Sequence, residues 1–263
     1  MNLPTVPIIT YHAIENLASP LFTSPTVFEA QLAALAESGY QAISMATVFD
    51  WLQGDISLLA KAVVITFDDG YASVYDSAWP RLQAYDFSAT VFLVTGYCGG
   101  GNQWPGQMDG VPKRGLLTWD QVSELAAAGW EFGAHTRTHP PLPGIPTDQA
   151  EEEILTSREE IESRIGQTVR SFAYPYGASS PDVQAIVQRF FDGALGVRLG
   201  LVTAASNAYC LERIDAFYLA PRFIPFLGRP GFRRYLHLRQ WMREVRRRVR
   251  PDWHYSSHDP FGA

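Results

Sequence analysis

What most constrains this chain is a repeated alternation: short, continuous apolar runs separated by amphipathic segments of helical period. The runs are Val6–Tyr11, Gln41–Ser44, Ala62–Phe67, Ala89–Val94, Glu131–Ala134, Ser171–Tyr174 and Gly193–Val197. Most are apolar throughout rather than at every second residue, as expected of parallel strands covered on both faces. The segments between them carry helix signals. Thr26 with Glu29 reads as a capping box, with Phe28, Leu32 and Leu35 on one face and Gly39 as a stop. Thr118 with Gln121 repeats the device ahead of Gly129, and Ser180-Pro181 puts a cap and an N1 proline before another helix. Asp148–Arg164 is rich in Glu outside and has Ile154, Ile161 and Ile165 inside. Alternation of this length predicts a parallel α/β fold, read here as a closed barrel rather than an open sheet, although periodicity does not separate the two.

With 263 residues, 46% hydrophobic and 18% charged, the chain has material for one large core without disulfides. Its two cysteines, Cys98 and Cys210, have neither a disulfide framework nor metal-type spacing and read as free thiols. The first residues show no basic segment followed by an apolar run, and no stretch reaches the length of a membrane span. The expectation is a cytoplasmic protein, peripheral at the inner membrane face if its C-terminal segment binds lipid.

Three segments carry chemistry, each at the C-terminal end of an expected strand, where parallel barrels assemble their active sites. Asp68 and Asp69 follow the run Ala62–Phe67 directly. Two adjacent acids there repel unless a cation or proton relieves them, though a capped strand-to-helix turn would also explain them. His135 and His139 follow Glu131–Ala134, and a loop that coils back by one turn brings both imidazoles to one ion. Two histidines and one carboxylate are a common zinc set that leaves a position open for water. Tyr174-Pro175-Tyr176-Gly177 is a turn able to aim a backbone N–H into a cleft, or an ordinary turn with core aromatics. The long glycine-rich loop from Gly96 to Gly115, which holds Trp104, reads as a functional rim loop.

In this order, Thr66-Phe67-Asp68-Asp69-Gly70, His135-x-x-x-His139 and Pro175-Tyr176-Gly177 resemble the NodB-homology polysaccharide deacetylases, the fourth carbohydrate esterase family. Tyr11-His12 and Leu211-Glu212-Arg213-Ile214 resemble in particular the poly-N-acetylglucosamine deacetylase branch. The resemblance implies a distorted (β/α) barrel and metal-dependent hydrolysis of N-acetyl groups on an N-acetylhexosamine saccharide. It implies Asp69, His135 and His139 as ligands of one divalent ion, zinc with cobalt or nickel as alternatives. Asp68 would be the base, and the Tyr176 backbone N–H a donor to the oxyanion. His12 would be the acid that protonates the leaving amine, with His237 as the alternative. Many relatives carry an arginine where Ala173 stands, and Arg213 would take over the orientation of Asp68. Two other readings remain at this stage: an amidohydrolase acting on a small cyclic amide, and a carbohydrate-binding homologue without activity.

The last stretch differs in character. Between Arg233 and Arg250 lie eight arginines against one acid, Glu244; taking that +7 from a net charge of −6 leaves −13 for the rest. So acidic a body argues against a nucleic-acid groove. Residues 1–230 are read as the catalytic domain and 231–263 as a basic amphipathic helix and tail. In 234–250, Tyr235, Leu238, Met242, Val245 and Val249 recur at three and four, beside Trp241. The pattern suits an anionic membrane surface, and equally a helix docked on the barrel with a solvated charged face.

Overall fold

The computed structural model describes residues 4–58, 60–107 and 110–249. Seven parallel strands form its closed ring: β1 (Ile8–Tyr11), β2 (Ala62–Phe67), β3 (Thr90–Leu93), β4 (Glu131–Ala134), β5 (Ser171–Ala173), β6 (Gly193–Leu199) and β7 (Leu211–Asp215). Neighbours in the ring are neighbours in sequence, and β1 closes it by pairing with both β2 and β7. The barrel is distorted. A two-residue strand, Gln41–Ala42, pairs with Ala62 and Val63 at the start of β2, whereas β3 pairs with Thr66 and Phe67 at its end.

The continuous apolar runs are explained by burial on both sides. Along β1 and β2, Ile8 and Val64 point into the barrel, packing with Phe92, Ala173, Leu195 and Leu211. Ile9, Val63 and Ile65 point outward into the layer beneath the helices. Alternation between two apolar environments leaves no polar face to show in the sequence.

Seven α-helices of the described residues accompany the strands: α1 (Pro25–Glu37), α2 (Met45–Gln53), α3 (Trp79–Gln83), α4 (Trp119–Ala127), α5 (Thr147–Ile165), α6 (Pro181–Phe190) and α7 (Pro230–Val249). The capping box of Thr118 and Gln121 is present in both halves, and Ser180 caps α6 ahead of Pro181. The reading of α1 needs correction. Its cap is Ser24, whose side chain accepts from Val27 N–H, and Pro25 takes the first helical position. Thr26 lies inside the helix, and Glu29 accepts a hydrogen bond from Tyr85 instead. Pro25 has no N–H to leave unpaired at the first helical position and its fixed φ suits that position, so it favours the earlier start.

Strand β7 was legible only as a motif. Glu212, Arg213 and Asp215 break its apolar pattern, yet Leu211, Arg213 and Ile214 are buried. The expected helices did not include α2, which begins behind Ser44 and receives unusual support. Both oxygens of Glu131, on the neighbouring β4, accept N–H bonds from Met45 and Ala46 at its N-terminus. Cys98 and Cys210 are free.

Candidate active site

Strand geometry brings the polar residues together. Asp68 N–H donates to the Tyr11 carbonyl and His135 N–H to the Leu93 carbonyl, so the ladder continues past the strand ends. Side chains alternate along a strand, and Asp68 therefore follows Val64 and Thr66 to the barrel interior. By the same alternation Asp69 should face outward. It does not, because Asp69 and Gly70 both adopt left-handed backbone, at φ 69° and 73°. That turn brings its Oδ1 to 3.6 Å from His135 Nε2 and 3.5 Å from His139 Nε2.

The second histidine arrives by a tight coil. Thr136 and His139 also have positive φ, 67° and 64°, and the His139 N–H donates to Thr136 Oγ1 at 2.9 Å. Of five non-glycine residues with positive φ among the described residues, Asp69, Thr136, His139 and Tyr176 surround this site. For a β-branched residue such as Thr136 that conformation is strained, and strain of this kind concentrates where function over-determines the backbone. The coil is held from outside by Glu153 on α5. Its carboxylate accepts the N–H groups of Arg137 and Thr138 at 2.9 and 2.7 Å, together with the Thr138 hydroxyl.

The ligand set is ordered in detail. His135 Nδ1 lies 2.6 Å from the Ala173 carbonyl, a contact that requires its proton there and leaves Nε2 with a lone pair. His135 and His139 Nε2 lie 3.2 Å apart, and His139 is gripped between the rings of Trp104 and Tyr176, each with its centroid 4.6 Å away. Burial, then the neighbouring His135, holds the His139 imidazole well below its ordinary pKa, so it is neutral. Burial also raises the Asp69 carboxyl. Asp69, His135 and His139 each offer one donor atom, all within 4.8 Å of one another. Two imidazole nitrogens and a carboxylate that has been stripped of water fit a divalent cation well.

Beside this cluster stands a second, differently built acid. Arg213 donates to both oxygens of Asp68, at 2.7 and 2.8 Å, and through Nε to the Gly196 carbonyl at 2.8 Å. Both side chains are buried. Burial pushes the Asp68 carboxyl up, but Arg213, His135 and His12 outweigh it and hold it down at about 2. Two adjacent aspartates are thus driven in opposite directions by their surroundings.

His12, half-buried just past the end of β1, is close enough for its charge to act on Asp68, Asp69 and His139. His237 is exposed on α7 and does not figure among the charges acting on them. Tyr176 sits at the rim with φ 57°, its hydroxyl donating to the Gly106 carbonyl of the glycine-rich loop. Trp104 was legible in the sequence only as part of that loop. The Ala173 carbonyl and Glu153 carried no sequence signal at all, since one is backbone and the other is one of many glutamates on α5.

A parallel barrel whose strand ends gather metal-type ligands next to an ionised, clamped carboxylate defines a hydrolase that works on an acyl bond. The chain belongs to the polysaccharide deacetylase family, whose model matches residues 56–190. It is 27% identical over 215 residues, 80% of this chain and 70% of the relative, to YxkH of Bacillus subtilis (strain 168), whose name places it among polysaccharide deacetylases. It is 33% identical over 134 residues, 49% of this chain, to the poly-beta-1,6-N-acetyl-D-glucosamine N-deacetylase of Escherichia coli (strain K12). That match spans only 20% of the Escherichia coli protein. Among solved structures, the Streptococcus pyogenes deacetylase PplD, in complex with acetate, superposes with a TM-score of 0.72 at 27% identity. The superposition covers 85% of this chain and 96% of PplD.

Proposed function

We propose that this protein hydrolyses N-acetyl groups on an N-acetylhexosamine-containing saccharide, releasing acetate and leaving the free amine. Asp69, His135 and His139 would hold one divalent ion, zinc by the chemistry of the donors, with cobalt or nickel able to replace it. The observation that carries the reading is the pairing of that ligand cluster with Asp68, buried, ionised and gripped by Arg213. A divalent ion there supplies Lewis acidity toward the acetyl carbonyl and toward water.

The chain's own residues supply the rest. Asp68 takes a proton from the attacking water. Arg213 keeps that carboxylate free of a proton beforehand and fixes its plane by two parallel hydrogen bonds. The backbone N–H of Tyr176 donates to the carbonyl oxygen as negative charge develops on it. His12 gives a proton to the departing amine, so that the C–N bond breaks to a neutral leaving group. The name of the Escherichia coli relative supports a saccharide of N-acetylglucosamine units as the substrate class. All of Asp68, Asp69, His135 and His139 are present and assembled, which disfavours a binding protein without activity.

The test is acetate release from N-acetylglucosamine oligomers by metal-stripped protein, with zinc or cobalt restored, run beside Asp68→Asn. Release that needs the metal and is lost in the variant is the expected result. Turnover of a small cyclic amide with no acetate from any acetylated saccharide would replace this reading with the amidohydrolase one.

A further inference from the structure

Helix α7 meets the barrel with one face only. Phe232 and Leu236 are buried, and the Tyr235 hydroxyl donates to the Tyr218 carbonyl. Further along, Gln240 Oε1 accepts the Leu199 N–H and Arg243 donates to the Val197 carbonyl. Arg239 lies over the rings of Tyr218 and Tyr235. The arginines at 239 and 243 thus belong to the docked face.

The outward face is apolar. Leu238, Trp241, Met242 and Val245 are 55%, 60%, 40% and 38% exposed. Their spacing of three, one and three places them in one stripe. At about 100° per residue, that stripe lies on the side opposite Phe232, Leu236 and Arg243. Arg234 and Arg248 are exposed and fall on the stripe or beside it, and the helix's only acid, Glu244, accepts a hydrogen bond from Gln240. A helix that turns its apolar residues away from the protein is the reverse of a solvated surface helix.

We infer that α7 lies flat on an anionic lipid bilayer, with Leu238, Trp241, Met242 and Val245 at the headgroup–acyl boundary and the flanking arginines on lipid phosphates. The charge of the segment selects this occupant: an apolar stripe with Arg234 and Arg248 on or beside it, in a helix with a single acid, complements an anionic surface and repels a second copy of itself. No helix of the described residues is long and apolar enough to cross a membrane, so α7 would rest on the surface rather than span it. Val197 and Leu199 end β6, and Leu199 pairs with Arg213, the residue that grips Asp68. Helix α7 is thus anchored at the end of β6 on the side of the barrel where the candidate site lies.

The inference does not depend on the identity of the reaction and is tested without turnover. The full chain is sedimented with vesicles of phosphatidylcholine alone and of phosphatidylcholine with phosphatidylglycerol, at low and high salt. Expected is binding to the anionic vesicles only, weakened by salt. Leu238→Glu with Trp241→Glu should reduce it about ten-fold or more, and Arg234→Gln with Arg248→Gln should reduce it about ten-fold and flatten the salt dependence. All four positions are exposed, so unchanged thermal midpoints and unchanged release of acetate from soluble oligomers should accompany the loss. Absence of vesicle binding, or equal binding to both vesicle types, overturns the inference. Dimerisation that Trp241→Glu abolishes, without any vesicle binding, would assign the stripe to a second copy of the chain.

Discussion

Arg213 grips both carboxylate oxygens of Asp68, at 2.7 and 2.8 Å, across 145 residues of sequence. The pair exists only because β7, which carries Arg213, closes the barrel against β1, whose other neighbour β2 leads into Asp68. Arg213→Lys keeps the charge and loses the two-pronged geometry. Acetate release should fall roughly tenfold to a hundredfold in kcat, with little change in KM. Arg213→Met leaves a buried carboxylate unpaired and should cost about 3–5 kcal/mol of stability, measured by urea unfolding.

The two aspartates should leave opposite marks on acid unfolding of metal-free protein. Asp68 sits at about 2 when folded against an ordinary 3.8. A lowered folded value means that its stabilising share is present above pH 3.8 and is lost as pH falls toward 2. Asp69 is raised, so its share is present at low pH and is lost as pH rises through its raised value. Relative to wild type, Asp68→Asn should therefore flatten the loss of stability in acid. Asp69→Asn should flatten the loss on the alkaline side of the ordinary carboxylate range. Urea midpoints measured across that interval distinguish the two.

Metal should stabilise the fold as well as switch on activity. A ligand at about one hundred times its Kd adds roughly 2.7 kcal/mol, which thermal unfolding detects easily. Chelation should lower the melting temperature and abolish acetate release, and zinc should restore both. His135→Ala and His139→Ala should show neither response.

Glu153 touches no ligand atom, yet it holds the coil between the two histidines through Arg137 and Thr138. Glu153→Ala should weaken metal affinity by roughly tenfold to a hundredfold, as is common for groups that orient ligands. Titration with zinc, beside the exposed Glu152→Ala as control, reads this directly.

Gly133 has no room for a side chain. A Cβ there would come within 2.4 Å of Phe92 and 2.6 Å of Ser171 Oγ. Gly133→Ala should destabilise by about 1–3 kcal/mol through overpacking, with a lowered urea midpoint and an unchanged slope.

Local chemistry and periodicity were enough to settle much of this protein in advance. Apolar runs marked β2 and β4 at their observed limits, and strand ends marked the places where Asp68, Asp69, His135 and His139 would meet. Cap residues marked α4 and α6, because a hydroxyl and a proline act on the next few backbone groups alone. The tertiary structure decided whatever depends on residues distant in the chain. It turned Asp69 inward, set the Ala173 carbonyl behind His135, and aimed Glu153 at the histidine coil. It also chose which side of α7 docks. Apolar residues and arginines occur on both of its faces, so periodicity alone predicts an amphipathic helix without saying which face meets the barrel. Only the packing of Phe232 and Leu236 against the core left Leu238 and Trp241 facing outward.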